Sequence, residues 1–252
     1  MKDAKLVSFR SAILVQDWIT FKAWASEEKN SIMNSLAEEK YSCLKSQLIN
    51  TCITSDILKD MVTLIFDKAV LEPTFCPMYA QLCYDIHDKL PSFRPAKHGE
   101  SEMITFNRIL LNLCQTVFEG ADELSEEIRK MDSPDHKAER EDKEILSNLR
   151  TLGNLRLVGE LFKLRMVTQW IVQRIIKKLL GDDKKMCPPK EKLEAVSLFL
   201  HTVGKVLDRQ TNDECFKRLK NLLKHPRLVL QSAFVVQYLI DLRSNNWVPT
   251  GK

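Results

Sequence analysis

The sequence predicts an all-α protein, a HEAT-like α-solenoid of about five antiparallel helix pairs. Three observations predict it. Apolar residues recur at spacings of three and four along most of the 252 residues, the period of a helix with one buried face. No alternating strand pattern of useful length competes. Turn residues divide the chain into units of roughly 35–45 residues, each a helix, a short turn and a helix. Seven glycines and nine prolines are few for such a length, which disfavours a β fold rich in tight turns. The units are not alike in sequence, so the assignment rests on element lengths.

Residues 1–28 are a weakly patterned lead-in with Trp18, Phe21 and Trp24. Asp3, Arg10 and Asp17 interrupt its apolar character, so it lacks the core of a signal peptide. Helical patterning starts at Ser31–Leu36 with Ile32, Met33 and Leu36, and continues through Tyr41, Leu44, Leu48 and Ile49. Thr54 or Ser55 caps the next helix, which carries Ile57, Met61, Leu64, Ile65, Ala69 and Val70. Pro73 opens another, with Tyr79, Leu82, Cys83 and Ile86 on its apolar face; Pro91 and Pro95 end it. A helix follows from about Thr105 with Ile109, Leu110, Leu113, Val117 and Phe118. Gly120–Arg150 is dense in charge and is expected to be a solvated helical excursion or loop.

Arg150–Val167 reads as the central helix. Leu152, Leu155, Val158, Leu161, Phe162 and Arg165 fall on one face, and Asn154, Arg156, Glu160 and Lys163 on the other. Gly153 and Gly159 each cost roughly 1 kcal/mol against alanine in a helix interior. They are therefore expected where another backbone comes close. Val167–Leu180 follows, with Trp170, Ile171, Ile175, Ile176 and Leu179 as its apolar face and Gly181-Asp182-Asp183 as its stop. Pro188-Pro189 and Asn212 open two more helices, His225-Pro226 breaks the second, and the last runs from about Leu228 to Leu242.

Charge changes sign across the central helix. Residues 1–149 hold 18 Lys+Arg against 25 Asp+Glu, a net −7; residues 150–252 hold 20 against 9, a net +11. Two different partner surfaces are expected, one of them for a polyanion. Lys177, Lys178, Arg218, Lys220, Lys224 and Arg227 form the candidate RNA-binding set. Arg218 and Lys220 flank Leu219, so both are expected to face water. Such cations bind phosphates in a salt-dependent, sequence-independent way. Little aromatic interleaving accompanies them, so stacking on single strands is not indicated.

Catalytic and metal chemistry find no support. The five histidines pair neither with each other at helical spacing nor with cysteine at ligand spacing. HExxH, GxSxG, GxGxxG and GxxxxGK[ST] are absent. No enzyme, cofactor or metal is expected. Seven scattered cysteines without a CxxC read as reduced, mostly buried thiols. No apolar run approaches the ~18–20 residues of a membrane span, and no membrane partner is expected.

Five stretches in order carry a resemblance: LEPTFCPMYAQLC from Leu71, LLNLCQ from Leu110, GNLRLVGELFKL from Gly153, TVGKVLD from Thr202 and DLRSNNWV from Asp241. Together they resemble the middle HEAT domain of eukaryotic translation initiation factor 4G, most closely the plant forms, including the plant isoform. The resemblance spans about residues 29–248, leaving 1–28 as a divergent lead-in and 249–252 as a tail. It implies a cytoplasmic, noncatalytic scaffold of translation initiation. Its partners would be the DEAD-box RNA helicase initiation factor 4A, mRNA and, in several family members, initiation factor 3.

Carried over by motif, Ser31–Leu36 matches the family's SILNKL and assigns helicase contact to Ile32, Met33 and Leu36, with Met33 and Ser35 as departures. Phe234 matches the phenylalanine of the family's RFMLQDVIDLR, with Ala233 and Tyr238 as departures. Each of Ile32, Leu36 and Phe234 can equally be core. The Tyr-x-x-x-x-Leu motif for the cap-binding subunit is absent, and the family's C-terminal domains are expected to be missing. Two alternatives follow: a truncated competitor that sequesters the helicase and represses cap-dependent translation, and an RNA-processing or decay adaptor of the same superfamily.

Overall fold

The computed structural model describes residues 41–50, 52, 54–95, 102–130, 137–181, 187–208 and 213–249. The lead-in, the Ser31–Leu36 motif with Ile32, Met33 and Leu36, Asp182-Asp183 and Asn212 lie outside these residues. Among the described residues there are nine α-helices: α1 (residues 41–50), α2 (Ser55–Leu71), α3 (Cys76–Ile86), α4 (Phe106–Lys130), α5 (Lys137–Lys163), α6 (Gln169–Leu180), α7 (Lys190–Asp208), α8 (Asp213–Leu222) and α9 (Leu230–Ser244). The one extended pairing among them is a bridge between Phe93 and Ile104. The chain forms two compact units, Met1–Phe66 with Gln81–Leu110, and Asp67–Ala80 with Leu111–Lys252.

In the first unit, Leu44 and Leu48 of α1, Leu58, Val62, Ile65 and Phe66 of α2, and Leu82 and Ile86 of α3 are buried. The Thr54 hydroxyl accepts from the Ile57 amide, the N-cap expected for α2. Asp85 ties α1 to α3: it accepts from Tyr41 Oη at 3.0 Å and Lys45 Nζ at 3.1 Å, while Gln81 reaches its other oxygen. Burial works against the Asp85 charge, but the hydrogen bonds from Gln81, Lys45 and Tyr41 outweigh it and hold the carboxyl below its ordinary range. Thr105 caps α4 through the Arg108 amide.

The second unit shows the stacking of helix hairpins. α5 packs on α6 and α7, α6 on α7 and α8, α7 on α9, and α8 on α9. α5 and α6 thus each meet the next helix in sequence and the one after it, while α7 packs on α9. This is the HEAT-like α-solenoid arrangement the periodicity predicts.

α5 is the central helix, and its C-terminal half is buried on most sides. Leu155, Leu157 and Leu161 are fully buried, each contributing roughly 1.5–3 kcal/mol on transfer from water. A Cβ on Gly153 would overlap the Val70 carbonyl, which is the close backbone approach expected. Gly159 differs in kind: its Cβ would come 2.7 Å from the Thr202 methyl of α7, a side-chain contact.

Three expectations are corrected. Asn154 is not on a solvated face. It is 1% exposed, and its Nδ2 donates to the Cys114 carbonyl at 2.9 Å, so a polar residue joins α5 to α4 inside the core. Arg165 is not on the apolar face, because the helix has already ended. Its φ of 64°, with the Met166 amide donating to Leu161 and the Arg165 amide to Phe162, makes a Schellman stop in which arginine stands where glycine is usual. Of the two readings of Gly120–Arg150, the helical excursion holds over the described residues: α4 runs to Lys130 and α5 starts at Lys137. Trp170 is not core: it is 63% exposed. Gly181 does end α6, with φ 75°.

Candidate functional site

The second unit carries the charged and apolar features that bear on binding, and three regions separate there.

The first is a clamp between α7, α8 and the end of α9. α9 ends in a Schellman turn: Asn246 takes φ 52°, its amide donates to Arg243, and the Trp247 amide donates to Leu242 at 2.8 Å. Asparagine tolerates this left-handed position better than most residues. The turn folds Trp247 back onto α7, where a Cβ on Gly204 would overlap the indole. Asp208 Oδ2 accepts from Trp247 Nε1 at 2.8 Å and from Arg243 Nε at 3.1 Å. Asp208 Oδ1 pairs with Arg243 Nη2 at 2.9 Å. The Arg243 guanidinium lies 4.2 Å from the Phe216 ring centroid, and Phe216 meets Trp247 edge-on at 5.9 Å. Cys215 is buried beside this set. Burial foremost pushes its thiol up to about 12, Arg243 pulls it down and Asp208 raises it. The clamp accounts physically for the TVGKVLD and DLRSNNWV stretches: glycine gives room, aspartate takes three donors, and asparagine makes the turn.

The second region is the outer face of α9. Its inner face buries Ser232, Val236, Leu239 and Leu242. Leu230, Phe234 and Tyr238, spaced by four, are 70%, 67% and 42% exposed. Of the four residues assigned to partner contact, Phe234 alone is described, and it is not core.

The third region is the basic set. Lys177 and Lys178 are exposed in the last turn of α6, Lys220 is exposed on α8, and Lys224 and Arg227 are exposed in the turn after it. The Arg227 amide donates to His225 Nδ1, which fixes that turn. The structure does not gather these cations equally. Lys178 leans on α4, its Nζ 4.9 Å from the Phe118 ring centroid. Arg218 is half-buried, with its Nε sequestered from solvent, so it does not face water as Lys220 does. Leu219 between them is fully buried.

Periodicity alone misassigned one feature of this region. Trp170, Arg174, Lys177 and Lys178 are all exposed, and at 100° per residue they lie on one face of α6. The Arg174 guanidinium sits 5.3 Å from the Trp170 ring centroid. The signal was present in the spacing, since Val172, Ile175, Ile176, Leu179 and Leu180 already fill the buried face. Counting tryptophan as apolar put it with them.

Among the described residues no cluster of three or more His, Cys, Asp or Glu could hold a metal ion. No described helix is long and apolar enough to cross a membrane.

Comparison with known proteins gives the family. The eukaryotic translation initiation factor 4G of Arabidopsis thaliana is 36% identical over 226 residues, covering 86% of this chain and 13% of that protein. Human eukaryotic translation initiation factor 4 gamma 2 is 33% identical over 229 residues, covering 86% of this chain and 25% of that protein. The chain thus spans a small part of either full-length relative. A solved structure, the MIF4G domain of Trypanosoma cruzi translation initiation factor EIF4G5, aligns over 83% of this chain and 91% of its own, with a TM-score of 0.49 and 22% identity. Residues 27–246 match the MIF4G domain itself, and the chain belongs to the MIF4G domain family.

Proposed function

We propose that the chain is a noncatalytic scaffold of translation initiation, acting in the cytoplasm, that binds the DEAD-box RNA helicase initiation factor 4A and mRNA. Residues 29–248 are the working domain, with 1–28 a lead-in and 249–252 a tail. Initiation factor 3 is a further partner of the same scaffold. The observation that carries the reading is the exposure of Phe234 at 67% on a helix whose opposite face is packed. A soluble surface gains nothing from three large apolar or aromatic residues in a row unless a partner covers them. A helicase lobe is the cover that the kinship with initiation factor 4G suggests, and Ile32, Met33 and Leu36, carried over by motif, are assigned to the same helicase. Lys177, Lys178, Lys220, Lys224 and Arg227 supply phosphate contacts, and the half-buried Arg218 adds to their field.

Purified chain and initiation factor 4A test this directly. The chain is expected to bind the helicase and raise its RNA-dependent ATPase rate, and Phe234→Ala is expected to weaken binding about tenfold or more, as truncation of a central anchor does. Absence of both binding and stimulation rejects the scaffold reading. An unchanged affinity for Phe234→Ala removes α9 from the contact. In a translating extract, stimulation supports the scaffold and repression of cap-dependent translation supports a competitor. Capture of a different RNA helicase in place of initiation factor 4A moves the chain to RNA processing or decay.

A further inference from the structure

We propose that the outer face of α6 is a stacking platform for single-stranded RNA, with Trp170 receiving a base and Arg174, Lys177 and Lys178 holding the flanking phosphates. The proposal rests on the RNA reading above and specifies the form of RNA taken. From Trp170 to Lys178 the face is about 12 Å long. It carries one large aromatic ring, 63% exposed, and three cations, without an acidic residue between them.

The geometry favours a base over other occupants. The Arg174 guanidinium lies 5.3 Å from the indole centroid. This cation–π contact pairs a positive charge with a flat apolar surface, the combination that takes up an unstacked nucleotide. An acidic peptide would use the cations but not the ring, since the face of an aromatic ring is negative and repels carboxylates. Duplex RNA would also use only the cations, because its bases are stacked on one another and have no free face. Lys178 already rests against Phe118 of α4. Its ammonium is held at the edge of the face, so Arg174 and Lys177 take the nearer phosphates.

The test uses the full chain and fluorescence anisotropy with a short uridine oligonucleotide, the matching RNA duplex and a glutamate-rich peptide, each over a range of salt. The wild-type chain is expected to prefer the single strand. Trp170→Ala is expected to lose roughly five- to a hundredfold in affinity for the oligonucleotide, the range for removing one stacked base. It should leave duplex binding and the salt slope unchanged. Trp170→Phe should recover most of the loss. Lys177→Ala should reduce the salt slope by about 0.7, the share of one phosphate on a single strand. Unchanged oligonucleotide affinity in Trp170→Ala, with a loss in Lys177→Ala, overturns the platform and leaves the RNA surface standing. Absence of RNA binding by the wild-type chain at low salt overturns both. Peptide binding that depends on Trp170, with RNA binding indifferent to it, assigns the face to an acidic partner instead.

Discussion

Trp170 and Trp247 stand in the same basic half of the chain and do opposite things. Trp247 is packed against a glycine, its indole N–H donates to Asp208, and its ring meets Phe216. All three of these contacts are spent inside the protein. Trp170 lies on a helix face with Arg174 beside it, and 63% of its surface is open. Position on the helix decides which is which. α6 already fills its buried face with Val172, Ile175, Ile176 and Leu179, so Trp170 has nowhere inward to go. Trp247 follows a left-handed turn that reverses the chain and delivers it to α7. The same side chain is structural in one place and presented to solvent in the other.

The largest effect expected from breaking this contrast is on the clamp. Trp247→Ala removes a ring and the donor to Asp208, and should destabilise the domain by about 2–3 kcal/mol, a little under the ~3–5 for a fully buried aromatic because this ring is only half-buried. Urea unfolding measures it; a shift under about 0.5 kcal/mol would show that the clamp is not a stabilising element. Asp208→Asn keeps the shape but loses the charge facing Arg243, and should cost about 1–2 kcal/mol.

Alkali should act on the buried thiols near and beyond the clamp. Burial pushes Cys76, Cys114 and Cys215 from an ordinary value of 9.0 up to about 12. The unfolded thiol sheds its proton near pH 9 while the folded one keeps it. The thiol contribution is therefore whole below pH 9 and is lost as pH climbs from 9 towards 12. Unfolding midpoints that stay level between pH 8 and pH 11 would contradict this. Alkylation at pH 8 gives a second readout: the exposed Cys43 should react and Cys215 should not, until Trp247→Ala opens the clamp.

The fold class was legible because helical period and turn chemistry are local. Thr54 and Thr105 cap where the sequence places them, and Gly153 has the close backbone neighbour that its cost in a helix implies. What could not be read depends on partners far along the chain. Asn154 looks solvated until Cys114 offers its carbonyl 40 residues away. Arg165 looks helical because nothing local announces an arginine in a left-handed turn. The charged stretch from Gly120 leaves helix and loop undecided, because long helices with solvated faces share the composition of a loop. The candidate site divides in the same way. The exposure of Lys220, Lys224 and Arg227 follows from local pattern. The half-burial of Arg218, the diversion of Lys178 to Phe118 and the exposure of Trp170 are outcomes of packing.

The smallest expected effect separates the two tryptophans most sharply. Trp170→Ala loses only a ring edge on α6 and one exposed contact with Arg174, which is worth about 0.5–1 kcal/mol at such a site. Alanine is also the better helix former at that position, which offsets part of the loss. Thermal unfolding should therefore move by no more than about 0.5 kcal/mol in equivalent stability. Oligonucleotide affinity should fall in the same variant. Trp247→Ala, measured well below its lowered Tm, should show the reverse: a large stability loss with oligonucleotide affinity retained. If Trp170→Ala instead unfolds the domain as Trp247→Ala does, the ring is bearing structural load. The open face of α6 would then have to be explained by packing rather than by a ligand.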